Sequence, residues 1–278
     1  MNTQDIKHRI ASVGDTVKIT QAMQMISASK MHKTQMKCET SRRYLSELES
    51  ALSRVPRAAL EAHAYVRQNE GKKIGLIVVA GDKGLCGDYN HRVLSFADSE
   101  IARLNATQIF AVGQEARDYF RRKQVPLNSF YAHMAQEPHA FDAIAVTNDM
   151  LDLYRTGEYG AIYLIYTRVD TLSSQRPTIK RLLPIELPEA GDELPFEPKN
   201  EEAVTNFLAQ YVMAQIYSAL ADSTLAINYK RMVSMQESTK NGNKLIEELV
   251  SEYNHKRQEG ITNELMNSSA SSSRGGNL

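Results

Sequence analysis

Apolar positions at the two ends of this chain recur at steps of three and four. Ile6, Ile10, Val13 and Val17 make one such series, and Leu45, Leu48, Leu52 and Val55 make a second. This spacing puts side chains on one face of a helix, and sustained it forms a coiled-coil seam. Between the two series the stripe broadens through Ile19, Met23, Met25, Ile26, Met31 and Met36. Methionine fills such an irregular seam adaptably. No glycine follows Gly14 and no proline precedes Pro56 in this stretch, so residues 1–57 read as one long helix that stops at Pro56.

From Lys72 to Pro188 the pattern changes to short β-rich runs alternating with helical stretches, punctuated by Gly and Pro. Ile74–Ala80, Gln108–Val112, Ala161–Thr167 and an edge run Thr178–Pro184 read as strands. Ser95–Leu104, Gln114–Lys123 and Phe141–Thr156 read as helices. Strand and helix alternating at these lengths predict a mostly parallel sheet covered by helices over residues 72–188.

Helix formers return over residues 200–266 without a proline, a length of about 95 Å if the helix is unbroken. Val204, Leu208 and Tyr211 begin an apolar stripe, and Ile246, Leu249 and Tyr253 resume it. Asn241-Gly242-Asn243 is the expected weak point of that helix, and the Ser- and Gly-rich residues 267–278 read as a disordered tail. Two long terminal helices around one inserted domain return on each other as an antiparallel pair. The fold class is therefore mixed α+β and α/β: a long antiparallel coiled coil with an inserted α/β domain.

Lys plus Arg equals Asp plus Glu at 33 each and 42% of residues are hydrophobic, which points to neither nucleic acid nor a disordered acidic chain. The longest apolar run, Ile74–Ala80, is strand-sized, so a membrane role would be peripheral. The first residues carry no secretory pattern, and the two cysteines, Cys38 and Cys86, suit a reducing cytosolic compartment.

The segment most like a chemical motif is Gly81-Asp82-Lys83-Gly84-Leu85-Cys86-Gly87, directly after an apolar strand. Its glycines fall three apart, whereas a dinucleotide fingerprint or a P-loop demands other spacings, so Gly81, Gly84 and Gly87 read as a structural turn. Cys86 with His91 reads as an inert thiol beside an unrelated imidazole, and no metal-ligand spacing joins the seven histidines. No catalytic, cofactor or metal site is expected. Lys30, Lys33, Lys37, Arg42 and Arg43 make a basic stretch suited either to an acidic partner or to a solvated face. Arg257 falls on the stripe between Tyr253 and Ile261, a position that asks for a carboxylate or carbonyl partner, from this chain or another, unless the side chain snorkels to water.

Three blocks carry a family resemblance. Ile10-Ala11-Ser12-Val13 with Lys18-Ile19-Thr20-Gln21-Ala22-Met23-Gln24-Met25 resembles the N-terminal signature of F-type ATP synthase gamma subunits. The 81–87 turn is similar to that family's D-R-G-L-C-G, and Tyr253-Asn254-His255-Lys256-Arg257-Gln258 with Ile261-Thr262-Asn263-Glu264-Leu265 resembles its C-terminal block.

The resemblance implies a non-catalytic central rotor stalk that couples proton or sodium flow to ATP synthesis or hydrolysis. It implies a Rossmann-like foot domain on the membrane c-ring beside the epsilon subunit, a coiled coil inside the alpha-beta hexamer, and a place on the cytoplasmic face of the bacterial plasma membrane. Carried onto this sequence, Arg257, Gln258 and Met23 would contact beta-subunit loops. Gln21 stands where the family has lysine, Gly260 where alanine is usual, and residues 267–278 replace an apolar ending. Two other readings of the same layout are a nucleotide-binding regulator with coiled-coil arms and a scaffold that does not rotate.

Overall fold

A computed structural model of the chain describes residues 2–71, 73–189 and 201–274. Helix α1 (Thr3–Arg54) runs for 52 residues, as its uninterrupted helix formers require. Pro56 ends it and at once caps a short second helix, α2 (Arg57–Glu61), which the sequence pattern does not announce. Proline's fixed φ suits the entry to a helix and forbids its interior, so one residue serves both ends.

Next come β1 (Lys73–Val79), α3 (Tyr89–Leu104), β2 (Gln108–Val112), α4 (Gln114–Arg122), β3 (Leu127–Tyr131), α5 (Ala140–Arg155), β4 (Tyr159–Val169) and β5 (Gln175–Leu183). The sheet order is β3-β2-β1-β4-β5. β1 pairs in parallel with β2 and β4, β2 pairs in parallel with β3, and β5 closes the edge antiparallel to β4. The strands expected from the apolar runs are present within a few residues, and β3 is an addition. Its Leu-Asn-Ser-Phe-Tyr segment is a half-buried edge, too polar and too short to stand out as a strand.

Helix α6 (Glu201–Arg274) runs for 74 residues through Asn241-Gly242-Asn243 without a break, correcting the expected weak point. It also continues through 267–274, which the sequence reading places in a disordered tail, while the remainder of that tail, 275–278, lies outside the described residues.

The chain divides into two compact units, one of Met1–Ile26 with Met232–Leu278 and one of Ser27–Arg231. In the larger unit the near half of each terminal helix belongs to the sheet's core. Leu48 and Leu52 of α1, Val146 and Met150 of α5, and Leu208, Val212 and Leu220 of α6 pack with Ile77, Val79, Phe110, Val112 and Ile162. The alternate strand residues Leu76, Val78, Ile109 and Ala111 are also buried, on the face where α3 and α4 supply Val93, Ala97, Ala116 and Phe120. This is a doubly wound, Rossmann-like sheet with helices on both faces.

In the smaller unit α1 and α6 run antiparallel, because Thr20 meets Thr239 while Val17 meets Gly242. Ile6, Val17, Met235 and Leu249 are buried along this pair. The Thr20 and Thr239 hydroxyls bond at 2.7 Å. A Cβ on Gly242 would lie 2.5 Å from Val17 Cγ2, so this glycine permits a close helix crossing rather than loosening the helix.

Candidate functional site

The 81–87 segment is a turn that leaves the C-terminal end of β1, and it is held from several sides. Gly81 N–H donates to Asn90 Oδ1 at 2.9 Å, and Gly81 O accepts from Glu115 N–H at 2.9 Å. Gly87 adopts φ +58°, whereas Gly84 has ordinary room for a side chain. Arg231 of α6 reaches the carbonyls of Lys83 and Gly84 at 3.1 and 3.4 Å. Leu85 takes φ +61° and is exposed at the tip.

Asp82 is the residue of this turn that sequence reasoning missed. Its Oδ1 accepts from the backbone N–H of Gln114 at 3.2 Å and of His133 at 3.1 Å, and its Oδ2 accepts from Ala135 N–H at 3.2 Å. Gln114 is the first residue of α4, where helix N–H groups lack partners within the helix and the helix dipole favours negative charge. In an open α/β sheet a ligand's phosphate usually sits at such a helix start; here the chain's own carboxylate sits there.

Cys86 is buried, with burial pushing its thiol above the ordinary range, and Asn90 Nδ2 donates to its sulfur at 3.4 Å. His91 is exposed, and neither hydrogen bond of the Cys86 sulfur involves it. Among the described residues no group of His, Cys, Asp and Glu is arranged to hold a metal.

A polar cluster joins three elements of the larger unit, its Asp222, Ser223, Thr167 and Cys38 buried and its Arg42 side chain 43% exposed. Arg42 Nη2 of α1 donates to Asp222 Oδ1 of α6 at 2.6 Å and to the Val169 carbonyl of β4 at 2.5 Å. Ser223 Oγ accepts from Thr167 N–H at 3.3 Å beside it. Burial raises the Asp222 carboxyl and pushes the neighbouring Cys38 thiol up to about 12. Lys37 pairs with Glu137 at 3.3 Å. Two of the five residues in the basic stretch, Lys37 and Arg42, therefore have partners inside the chain, while Lys30, Lys33 and Arg43 face solvent.

The outer faces of the terminal helices carry large apolar side chains in water. Met25 is 67% exposed, Met36 72%, and Ile19 and Ile26 are also exposed. Met23 is half-buried on α1, and Arg257 and Gln258 are exposed on α6. Arg257 makes no hydrogen bond or ion pair among the described residues, so the expected seam arginine is a solvated one. The register explains this, because residue numbers facing each other across the pair sum to about 259 and α1 starts at Thr3. Among the described residues no turn of α1 lies opposite α6 beyond about residue 256, and Ile261 stands 49% exposed. By the same register Met23 faces the α6 turn near residue 236, about 30 Å along the helix from Arg257, so the structure does not bring the two together.

A family model described as ATP synthase matches residues 2–270. The ATP synthase gamma chain of Glaesserella parasuis serovar 5 is 34% identical over 276 residues, covering 94% of this chain and 95% of the relative. The chain belongs to the ATP synthase gamma chain family. The gamma chain of Desulfitobacterium hafniense is 32% identical and covers 95% of each protein. A chain of the Euglena gracilis mitochondrial ATP synthase OSCP/F1/c-ring structure shares the fold, with TM-score 0.71 at 17% identity and coverage of 98% of this chain and 94% of that one. A chain of the Tetrahymena thermophila mitochondrial ATP synthase central stalk and c-ring shares it at TM-score 0.60 and 23% identity, covering 79% and 98%. The gamma chain is the stalk subunit of the F1 sector and not a catalytic one.

Proposed function

We infer that this chain is the central rotor of an F1Fo ATP synthase, turning inside the alpha-beta hexamer to couple transmembrane proton or sodium flow to ATP synthesis or hydrolysis. The observation that carries this reading is the family match from residue 2 to 270, which takes in both terminal helices and the whole sheet. The exposed Ile19, Met25, Ile26 and Met36 support it, since exposed apolar side chains along a helix suit burial against other subunits. On this reading the partners are the alpha and beta subunits, the epsilon subunit and the membrane c-ring. The protein is peripheral on the cytoplasmic face of the plasma membrane, and no described helix is long and apolar enough to cross a bilayer.

Arg257, Gln258 and Met23 are the proposed contacts to beta-subunit loops. Arg257 and Gln258 are free to reach outward, and a guanidinium without a partner suits an acidic loop. Met23 supplies an adaptable apolar contact on a different stretch of the helix pair. The test is reconstitution with alpha and beta subunits of the same organism and observation of a rod attached to this chain during ATP hydrolysis. Unidirectional rotation is expected, and a hexamer that hydrolyses ATP while the attached rod stays still would refute the reading.

A further inference from the structure

Around Arg42 the larger unit lacks the large side chains that interlock its helices elsewhere. The buried side chains of α1 here are Thr34, Cys38 and Ser41, and on α6 from Ser218 to Ala226 only Leu220 and Leu225 are long and apolar. Apolar contact is non-directional and short side chains leave little to interlock, so this layer resists separation better than it resists twist. Thr34 and Ser41 do not bridge it, because their hydroxyls donate back to the carbonyls of Lys30 and Cys38 on the same helix.

Directional bonds cross the layer instead. Ser223 Oγ accepts from Thr167 N–H at 3.3 Å, and Thr224 Oγ1 donates to the Ala135 carbonyl at 3.4 Å. Lys37 Nζ donates to the Pro138 carbonyl at 3.3 Å. Arg42 joins three elements at once, since its Nη2 reaches Asp222 Oδ1 of α6 at 2.6 Å and the Val169 carbonyl at the end of β4 at 2.5 Å. The N–H bonds of a guanidinium diverge in a fixed plane, so two acceptors held at once fix its orientation. Stability alone does not account for the pair. The Asp222 side chain is 6% exposed, and burial raises its carboxyl even with Arg42 beside it, so the ionised form is held at a cost. The best-attested use of such a group is to specify one packing register.

We propose that Arg42 is a positioning residue for coupling: its guanidinium keys α1 and α6 to β4 in one rotational setting, so that twist passes between the helices and the sheet without slack. This rests on the rotor reading above, and both helices continue into the smaller unit.

The test compares the parent, Arg42→Lys, and a double variant of Arg42→Gln with Asp222→Asn, which leaves no charge unpaired. Thermal unfolding of the full chain gives the midpoint. Spin labels at Arg43→Cys on α1 and Asn148→Cys on α5, both exposed positions, give the distance distribution, with the native cysteines buried. A bead on the sheet domain of the reconstituted complex gives the angular spread of each pause during ATP-driven rotation. The double variant should keep its midpoint within about 5 °C of the parent. Its label distribution should broaden by about 1 Å, the slack between a hydrogen bond and van der Waals contact. Its pauses should widen by about 10°, which is that slack at a helix radius of ~5 Å. Arg42→Lys should fall between the two, since it keeps the charge and loses the fork. Failure of the double variant to fold, or a larger fall in its midpoint with label and pause widths unchanged, marks a purely stabilising pair and overturns the proposal. Label widths equal to the parent's overturn it too, as do broadened labels with pauses as sharp as the parent's. A parent that does not rotate refutes the rotor reading and the coupling role with it, while the label widths still decide whether Arg42 keys the helices.

Discussion

Gly242 offers a sharp test of the helix pairing in the smaller unit. Replacing it with alanine puts a Cβ 2.5 Å from Val17 Cγ2, about 1 Å inside ordinary contact. Val17 is buried and β-branched, so its methyl cannot swing aside freely within a helix. Overpacking of this kind costs about 1–3 kcal/mol, while alanine gains about 1 kcal/mol over glycine in helix propensity. Gly242→Ala alone should therefore be neutral to about 2 kcal/mol destabilising. Val17→Ala removes two methyl-sized groups, a loss of about 1.6 kcal/mol at ~0.8 each. With Val17 Cβ 3.9 Å from the new methyl, Gly242→Ala in that background should recover the full gain of about 1 kcal/mol. Urea unfolding of the four proteins of this cycle, followed by helical circular dichroism, measures the coupling. If Gly242→Ala stabilises by the same amount with and without Val17, the helices do not cross this closely and the argument fails.

Arg257→Ala should leave the helicity and melting of the isolated chain unchanged, since the side chain is solvated, and should lower ATP-driven ion pumping in the assembled complex; Arg257→Lys should restore pumping only in part. His63 bonds Thr205 Oγ1 through Nε2 at 2.9 Å and accepts from Tyr65 N–H at Nδ1, and burial lowers its pKa from 6.5. A lowered histidine contributes its full stability above the unfolded value, so melting temperature should fall as pH drops below about 6.5, and His63→Gln should flatten that slope. Both cysteines are buried with raised thiol pKa values, Cys38 at about 12, so iodoacetamide at pH 8 should label neither in the native chain and both in urea.

The strands and the terminal helices were legible because their signals are periodic and long. Ile74–Ala80 and Ala161–Thr167 are apolar runs of strand length, and the helices lack breakers. What escaped the sequence depends on contacts between distant residues. Gly242 looked like a weak point because propensity is a local quantity, whereas the partner that requires a glycine, Val17, lies 225 positions away. Asp82 sat in plain view between two glycines, yet its three donors come from residues 114–135 and leave no spacing to read. Arg42 reads as one charge in a basic run because its partners, Asp222 and the Val169 carbonyl, lie 180 and 127 positions away. Arg257 continues the spacing of Leu249 and Tyr253, but spacing alone does not say whether a partner helix lies opposite, and the described α1 does not extend there.

The sharing of one core by β1, β2, α5 and the near halves of α1 and α6 has a consequence for biosynthesis. A ribosome completes every strand of the sheet before it makes residue 201. Until Leu208, Val212 and Leu220 emerge, the face formed by Ile77, Val79, Phe110 and Val112 lacks part of its cover. The nascent chain thus carries an apolar surface through the last quarter of its synthesis, when aggregation is the competing fate. A stalled or truncated product ending near residue 190 would contain the entire sheet and still be a client for chaperones or proteases.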